Sequence, residues 1–283
     1  MRLPTASAAD QAAPVPLPER CYADEAVWFF NKPPDQPIVA SGLPGAKAKY
    51  AEPALLQAVR AESGEQVSAF YRLEAEVSGL AGFARTKPGL DYLSGQFQGK
   101  TVTGAFDALV VVATPEETAG GVVAPWRDDA GGVPDAGELT WPVDADPTQP
   151  GRLQVFKRRG GRPAETTVDV RERFGRFAWV RCWPTSGRSA QARAHLAAAG
   201  LPVLNDATYG LADAPLLLSG LKRGYKGKSE ERPLVTFMAL HLAELTLRHP
   251  ATREPFTVTA DAPAALGIAL KYLRRFAAGR SAR

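Results

Sequence analysis

Tyr71-Arg72-Leu73-Glu74-Ala75-Glu76-Val77-Ser78-Gly79 is the stretch on which the reading of this chain turns. It sets two acids and an arginine directly before an apolar run, Gly79–Arg85, which is predicted to be a strand. Glu74 and Glu76 could form a carboxylate pair for glycoside chemistry, and on extended backbone, two residues apart, they would share a face. In a loop their relative geometry stays open. Arg72, taken alone, reads as an ordinary surface cation.

Working outward, Ala26–Asn31 is a short apolar run stopped by Lys32-Pro33-Pro34, which reads as a strand. Pro53–Arg60 spaces Leu55, Leu56 and Val59 as a helix does, with Glu52 before its first turn. Leu90–Gln98 is predicted to be a short helix, and Val102–Ala113 a buried strand. Thr114–Pro150, rich in Gly, Pro and Asp, reads mostly as loop. Thr166–Glu172 and Arg176–Trp183 flank Phe174-Gly175 as a hairpin would. Gln191–Ala199 is an Ala-rich helix with Gly200 at its C-cap, Phe237–Arg248 and Pro255–Val258 are strands, and Ala264–Ala277 is a helix. Many short strands with a few helices between them predict an α+β fold with a mixed, mostly antiparallel sheet.

Composition bounds the rest. The 283 residues, 45% of them hydrophobic, can bury a sizeable core. Apolar runs such as Ala108–Ala113 are far too short to span a bilayer, so no membrane role is expected. Residues 1–23 are Ala- and Pro-rich at their start, lack the apolar core of a signal peptide, and read as a disordered tail. Cys21 and Cys182 form no disulfide framework or zinc spacing, which fits a reducing cytoplasm. His195, His241 and His249 share no metal-ligand spacing either, so no metal is expected and they read as core or surface histidines. The net charge is only +4, but basic residues cluster: eleven Lys/Arg against three acids in Arg152–Arg193, four in Lys222–Lys228, and five in Lys271–Arg283. Such clusters suit a polyanion, because each phosphate contact releases counterions.

Four segments, in order, carry a resemblance. They are Val27-Trp28-Phe29-Phe30-Asn31-Lys32-Pro33-Pro34; the stretch around Glu74; Gly161-Arg162-Pro163-Ala164-Glu165-Thr166-Thr167; and Ser186-Gly187-Arg188-Ser189-Ala190-Gln191-Ala192-Arg193-Ala194-His195-Leu196, continuing from Gly200 to Asn205-Asp206-Ala207-Thr208-Tyr209-Gly210. The set resembles the RluA-type family of RNA pseudouridine synthases, whose opening motif reads His-Arg-Leu-Asp-x-x-Thr-Ser-Gly. The resemblance spans Asp24–Pro263 and implies one domain there, built on a bent, largely antiparallel sheet with flanking helices, with a basic C-terminal helix at 264–283. It implies a monomer that isomerises uridine in structured RNA, ribosomal or transfer RNA, without metal or redox cofactor. It makes Glu74 the catalytic carboxylate, Arg193 its salt-bridge partner and Phe106 the residue on the uracil face. It assigns RNA contact to Tyr71, Lys32, Arg188, Gln191 and His195, and to Arg72, which fills the stack after the base leaves. The departures fall at the chemistry. Glu74 stands where the family has Asp, Phe106 where it has Tyr, and Gly104 where it has Lys. A non-catalytic RNA-binding relative, or a cleft repurposed for another ligand, are the alternatives these departures raise.

Overall fold

The computed structural model describes residues 17–39, 54–114, 116–117, 125–129, 131–185, 188–211, 214–225 and 230–278. Expectations for residues 1–16, Glu52, Ser186-Gly187, Lys226, Lys228, Arg280 and Arg283 lie outside that set. The elements run β1 (Arg20–Ala23), β2 (Val27–Lys32), α1 (Leu55–Ser63), β3 (Ser68–Ala69), β4 (Ser78–Ala84), α2 (Lys87–Gln98) and β5 (Thr103–Val111). They continue β6 (Ala136–Leu139), β7 (Val143–Ala145), β8 (Leu153–Val155), β9 (Thr166–Phe174), β10 (Phe177–Pro184), α3 (Gln191–Ala198), α4 (Leu218–Leu221), β11 (Leu240–Arg248), β12 (Pro255–Thr259) and α5 (Ala264–Phe276).

Ten strands form one sheet in the order β1-β2-β4-β11-β5-β10-β9-β6, with β12 beside β11 and β3 beside β4. β7 and β8 make a separate two-stranded ribbon. Among the described residues every strand pairing is antiparallel except one, a two-residue parallel seam in which His241 and Leu242 of β11 meet Ser78 and Gly79 of β4. The fold is the expected α+β class. β11 is a shared strand: its first residues pair with β4 and its remainder, from Glu244, with β12. A register shift between Leu242 and Glu244 marks the change of partner, and such bulges bend the sheet.

Arg20–Ala23, expected to belong to a disordered tail, is ordered as β1. It pairs with β2 as an edge strand, because the aromatic face of β2 needs a neighbour. The C-terminal helix is part of the domain: α5 buries Leu266, Ala269, Leu270 and Leu273, a three-and-four spacing that lays one stripe on the core. The two cysteines are free, and burial pushes the Cys182 thiol up to about 12. Among the described residues no helix is long and apolar enough to cross a membrane, and no group of three or more His, Cys, Asp and Glu is placed to hold a metal ion.

Candidate active site

The stretch Tyr71–Val77 is a loop that delivers its side chains onto the sheet just before β4. It closes one side of a cleft of about 350 Å³. The floor comes from Gly104 and Phe106 of β5 and Leu240, Leu242 and Leu245 of β11, and the far wall from the start of α3. Tyr71, Arg72, Glu74, Phe106, Arg188, Gln191 and Arg193 therefore line one cavity although they lie more than a hundred residues apart at the extremes.

Glu74 docks against the N-terminus of α3. The helix begins at Ala190, held at φ +61° and lacking any side-chain oxygen to cap the free N–H groups. Glu74 supplies the missing acceptor from across the cleft. Its Oε1 receives the Ala190 backbone N–H at 2.5 Å and the Ser189 hydroxyl at 2.9 Å. The helix end favours a negative charge there. No donor reaches Glu74 Oε2 among the described residues, which leaves that oxygen to a ligand.

Arg193 lies one turn further along α3, but its fork belongs to Asp206. Nε and Nη2 each donate to an Asp206 carboxylate oxygen at 2.7 Å, a buried bidentate pair. Asp206 Oδ1 also accepts the backbone N–H of Thr208 and Tyr209, and the guanidinium lies 5.3 Å from the Tyr209 ring centre. Burial acts to lower the Arg193 pKa, but the Asp206 hydrogen bonds and the charges of Asp206, Glu74 and Glu76 outweigh it and raise the value. Arg193 thus meets Glu74 as a through-space charge, not as the expected salt-bridge partner.

A sequence profile described as RNA pseudouridylate synthase matches residues 26–198, which includes the Glu74 loop and all of α3. The chain belongs to the RNA pseudouridylate synthase family. It is 31% identical to ribosomal large subunit pseudouridine synthase D of Neisseria meningitidis serogroup A over 193 residues, 68% of this chain and 44% of that protein. It is 26% identical to ribosomal large subunit pseudouridine synthase C of Escherichia coli K12 over 253 residues, 89% of this chain and 69% of that protein. The chain thus spans less than half the length of the Neisseria relative. The solved structure of human RNA pseudouridylate synthase domain containing 4 shares the fold, with a TM-score of 0.60 over 90% of this chain and 92% of that one at 22% identity.

Within this pseudouridylate synthase fold, three residues expected to touch RNA have little or no surface to do so. Lys32 is fully buried beneath the Glu74 loop, where its ammonium donates to the carbonyls of Ala75 at 2.8 Å and Pro33 at 3.0 Å. Burial pushes its pKa down to about 7, against the opposing charges of Asp35, Glu76 and Glu74. His195 is also fully buried, held by the Thr166 hydroxyl and the Trp141 carbonyl, each at 2.9 Å, and burial lowers its pKa. Gln191, 1% exposed, ties α3 to β9 through the Glu165 carbonyl and the Thr166 hydroxyl. These are struts of the cleft wall. Tyr71 is half-buried, stacks on Phe97 with centroids 4.9 Å apart, and donates its hydroxyl to the Leu80 carbonyl. Arg72 is exposed at the cleft mouth. His241, bonded to Ser78 Oγ and the Ala260 carbonyl, and His249, paired with Asp24, are structural.

Sequence reasoning gave no site role to Ser189 or Asp206. The signals for Asp206 were its place in the fourth matching segment and the run Asp206-Ala207-Thr208-Tyr209, where an Asp side chain can take the N–H groups two and three residues on.

Proposed function

We propose that this protein binds a uridine of a structured RNA, ribosomal RNA foremost, in the Glu74 cleft and isomerises it to pseudouridine. The observation that carries the reading is a carboxylate fixed through one oxygen, with its second oxygen left for a ligand, in a partly apolar cleft that the Phe106 ring also lines. Family membership and the names of the ribosomal large subunit relatives support it.

The chemistry breaks the bond between uracil N1 and ribose C1′, turns the base and joins C5 to C1′; N1 gains a proton and C5 loses one. Glu74 Oε2 supplies the negative charge beside the sugar, as nucleophile or as electrostatic partner. The base enters by leaving its stack, at a cost of a few kcal/mol, and Arg72 at the mouth fills the gap. Phe106 offers a ring for the uracil to lie on but no hydroxyl. Within the cleft Glu74 is then the acceptor for the C5 proton.

Phe106 and Gly104 favour a second reading, an RNA-binding relative that has given up catalysis. Tritium release from ribosomal RNA transcripts labelled at uracil C5 separates the two. The first reading expects release by the wild type and none by Glu74→Ala with RNA affinity kept. Salt-dependent binding without release from any transcript favours the second.

A further inference from the structure

Among the described residues, Arg85 is committed to Glu65, Arg173 to Asp135, Arg176 to Glu117, Arg181 to Asp107 and Arg274 to Glu172, all at 2.5–2.6 Å, and Arg193 to Asp206 at 2.7 Å. Lys157, Arg158 and Arg159 are not. They are consecutive, exposed, and have no ion-pair partner among the described residues. Arg162, close behind, meets Asp144 only at 3.5 Å.

The segment that carries them is built, not loose. Val143 and Arg162 form an antiparallel bridge, with their backbone N–H groups and carbonyls exchanged at 2.9 and 3.0 Å. Gly160 and Gly161 turn the chain at φ +111° and +64° directly over the Phe156 ring. A Cβ on Gly160 would lie 2.7 Å from Phe156 Cδ1, and one on Gly161 would lie 2.9 Å from the Val143 carbonyl. The turn is therefore available only to glycine. It is also fastened to the cleft. Arg188 donates to the Pro163 carbonyl at 2.9 Å and Gln191 to the Glu165 carbonyl at 2.7 Å, and both residues line the cavity. Arg72 and Lys100, two further exposed cations without an ion-pair partner among the described residues, belong to the cleft lining itself.

We infer that residues 157–162 are a phosphate-docking arm that grips the RNA backbone beside the nucleotide held in the Glu74 cleft. The inference rests on the RNA reading above. Three adjacent unpaired cations suit a row of phosphates, since affinity for a nucleic-acid backbone comes from counterion release. A protein partner fits poorly. The segment from Lys157 to Pro163 is exposed and offers no aromatic or large apolar side chain to anchor an interface.

The test uses the full chain with two probes, an unmodified transcript of a large-subunit ribosomal RNA domain and a 20-base-pair RNA duplex, and follows affinity from 50 to 300 mM KCl. The arm variant is Lys157→Ser/Arg158→Ser/Arg159→Ser. The charge-matched control is Arg20→Ser/Arg232→Ser/Arg253→Ser, three exposed cations outside both the cleft lining and the basic clusters. The arm variant is expected to make the slope of log affinity against log salt shallower by about 2–3 and to weaken binding at low salt on the order of tenfold or more. The control is expected to change either quantity far less, and Lys157→Arg/Arg158→Lys/Arg159→Lys to bind like the wild type. Unchanged slope and affinity in the arm variant, with a wild type that binds, overturns the arm and leaves the RNA reading standing. A wild type that binds neither probe at 50 mM overturns both.

Discussion

The sharpest residue-scale consequence concerns Asp206. Asp206→Asn removes one half of a buried ion pair and leaves the Arg193 guanidinium without its counter-charge. Breaking such a pair costs about 3–5 kcal/mol. A fall of that size in urea-unfolding stability is expected, and a loss below about 1 kcal/mol would show that Arg193 finds another partner. At Phe106 the expectation concerns rate. On the proposed reading, Phe106→Tyr places a hydroxyl beside the bound uracil, and a positioned proton acceptor contributes on the order of a hundredfold. Single-turnover tritium release is expected to rise accordingly; an unchanged rate would mean that proton transfer is not limiting. Glu74, Phe106 and Arg193 were legible as a set because a motif specifies residue types in order. The partner of Arg193 was not. Asp206 lies thirteen positions away and Glu74 across the cleft, and no pattern of residue types ranks two carboxylates against each other. The same blindness put Lys32 and His195 on the RNA: a motif names a lysine or a histidine without saying whether its polar atoms end in solvent or on a buried carbonyl.

At the element scale the β4–β11 seam decides where Glu74 stands. Gly79 sits at φ +114°, and a Cβ there would lie 2.3 Å from the Leu242 carbonyl oxygen and 2.6 Å from its nitrogen. Backbone cannot move aside as a side-chain tip can, so Gly79→Ala is expected to lose more than about 4 kcal/mol or to yield insoluble protein. Soluble protein with a wild-type melting temperature would refute the seam. Lys32 supports the same loop and gives it a pH signature. Its folded pKa, about 7, is below the unfolded value of 10.5, so between those pH values the unfolded chain holds the extra proton. Stability from this group therefore rises with pH over that window, by up to about 1.4 kcal/mol per unit, and the cost of a buried charge is fully present below it. Urea midpoints from pH 7 to 10 should climb for the wild type relative to Lys32→Met, whose curve lacks this contribution; parallel curves would contradict a buried ammonium. The long strands were readable as apolar runs, α1 from the spacing of Leu55, Leu56 and Val59, and α3 and α5 from their Ala-rich runs, of which α5 buries one stripe and α3 nearly every residue. β6 and β7 were not, because Ala136–Leu139 and Val143–Ala145 lie in a Gly- and Pro-rich region. They are strands only because β9 and β8 offer them edges to pair with.

On the scale of the whole molecule, a sheet of ten strands brings residues 71–74, 104–106 and 188–193 to one cavity, with the exposed cations Arg72 and Lys100 in its lining and Lys157–Arg159 on a segment fastened to its wall. The fold class was open to the sequence; the arrangement of charge was not, since pairing or its absence is a property of the packed surface. The central claim is that Glu74 performs chemistry in that cavity on RNA. It is tested most directly by mapping pseudouridines across ribosomal RNA from a strain lacking the protein, complemented with the wild type or with Glu74→Ala at equal abundance. The account predicts at least one uridine that is isomerised with the wild type and stays uridine with Glu74→Ala. A site restored equally by both proteins would contradict it.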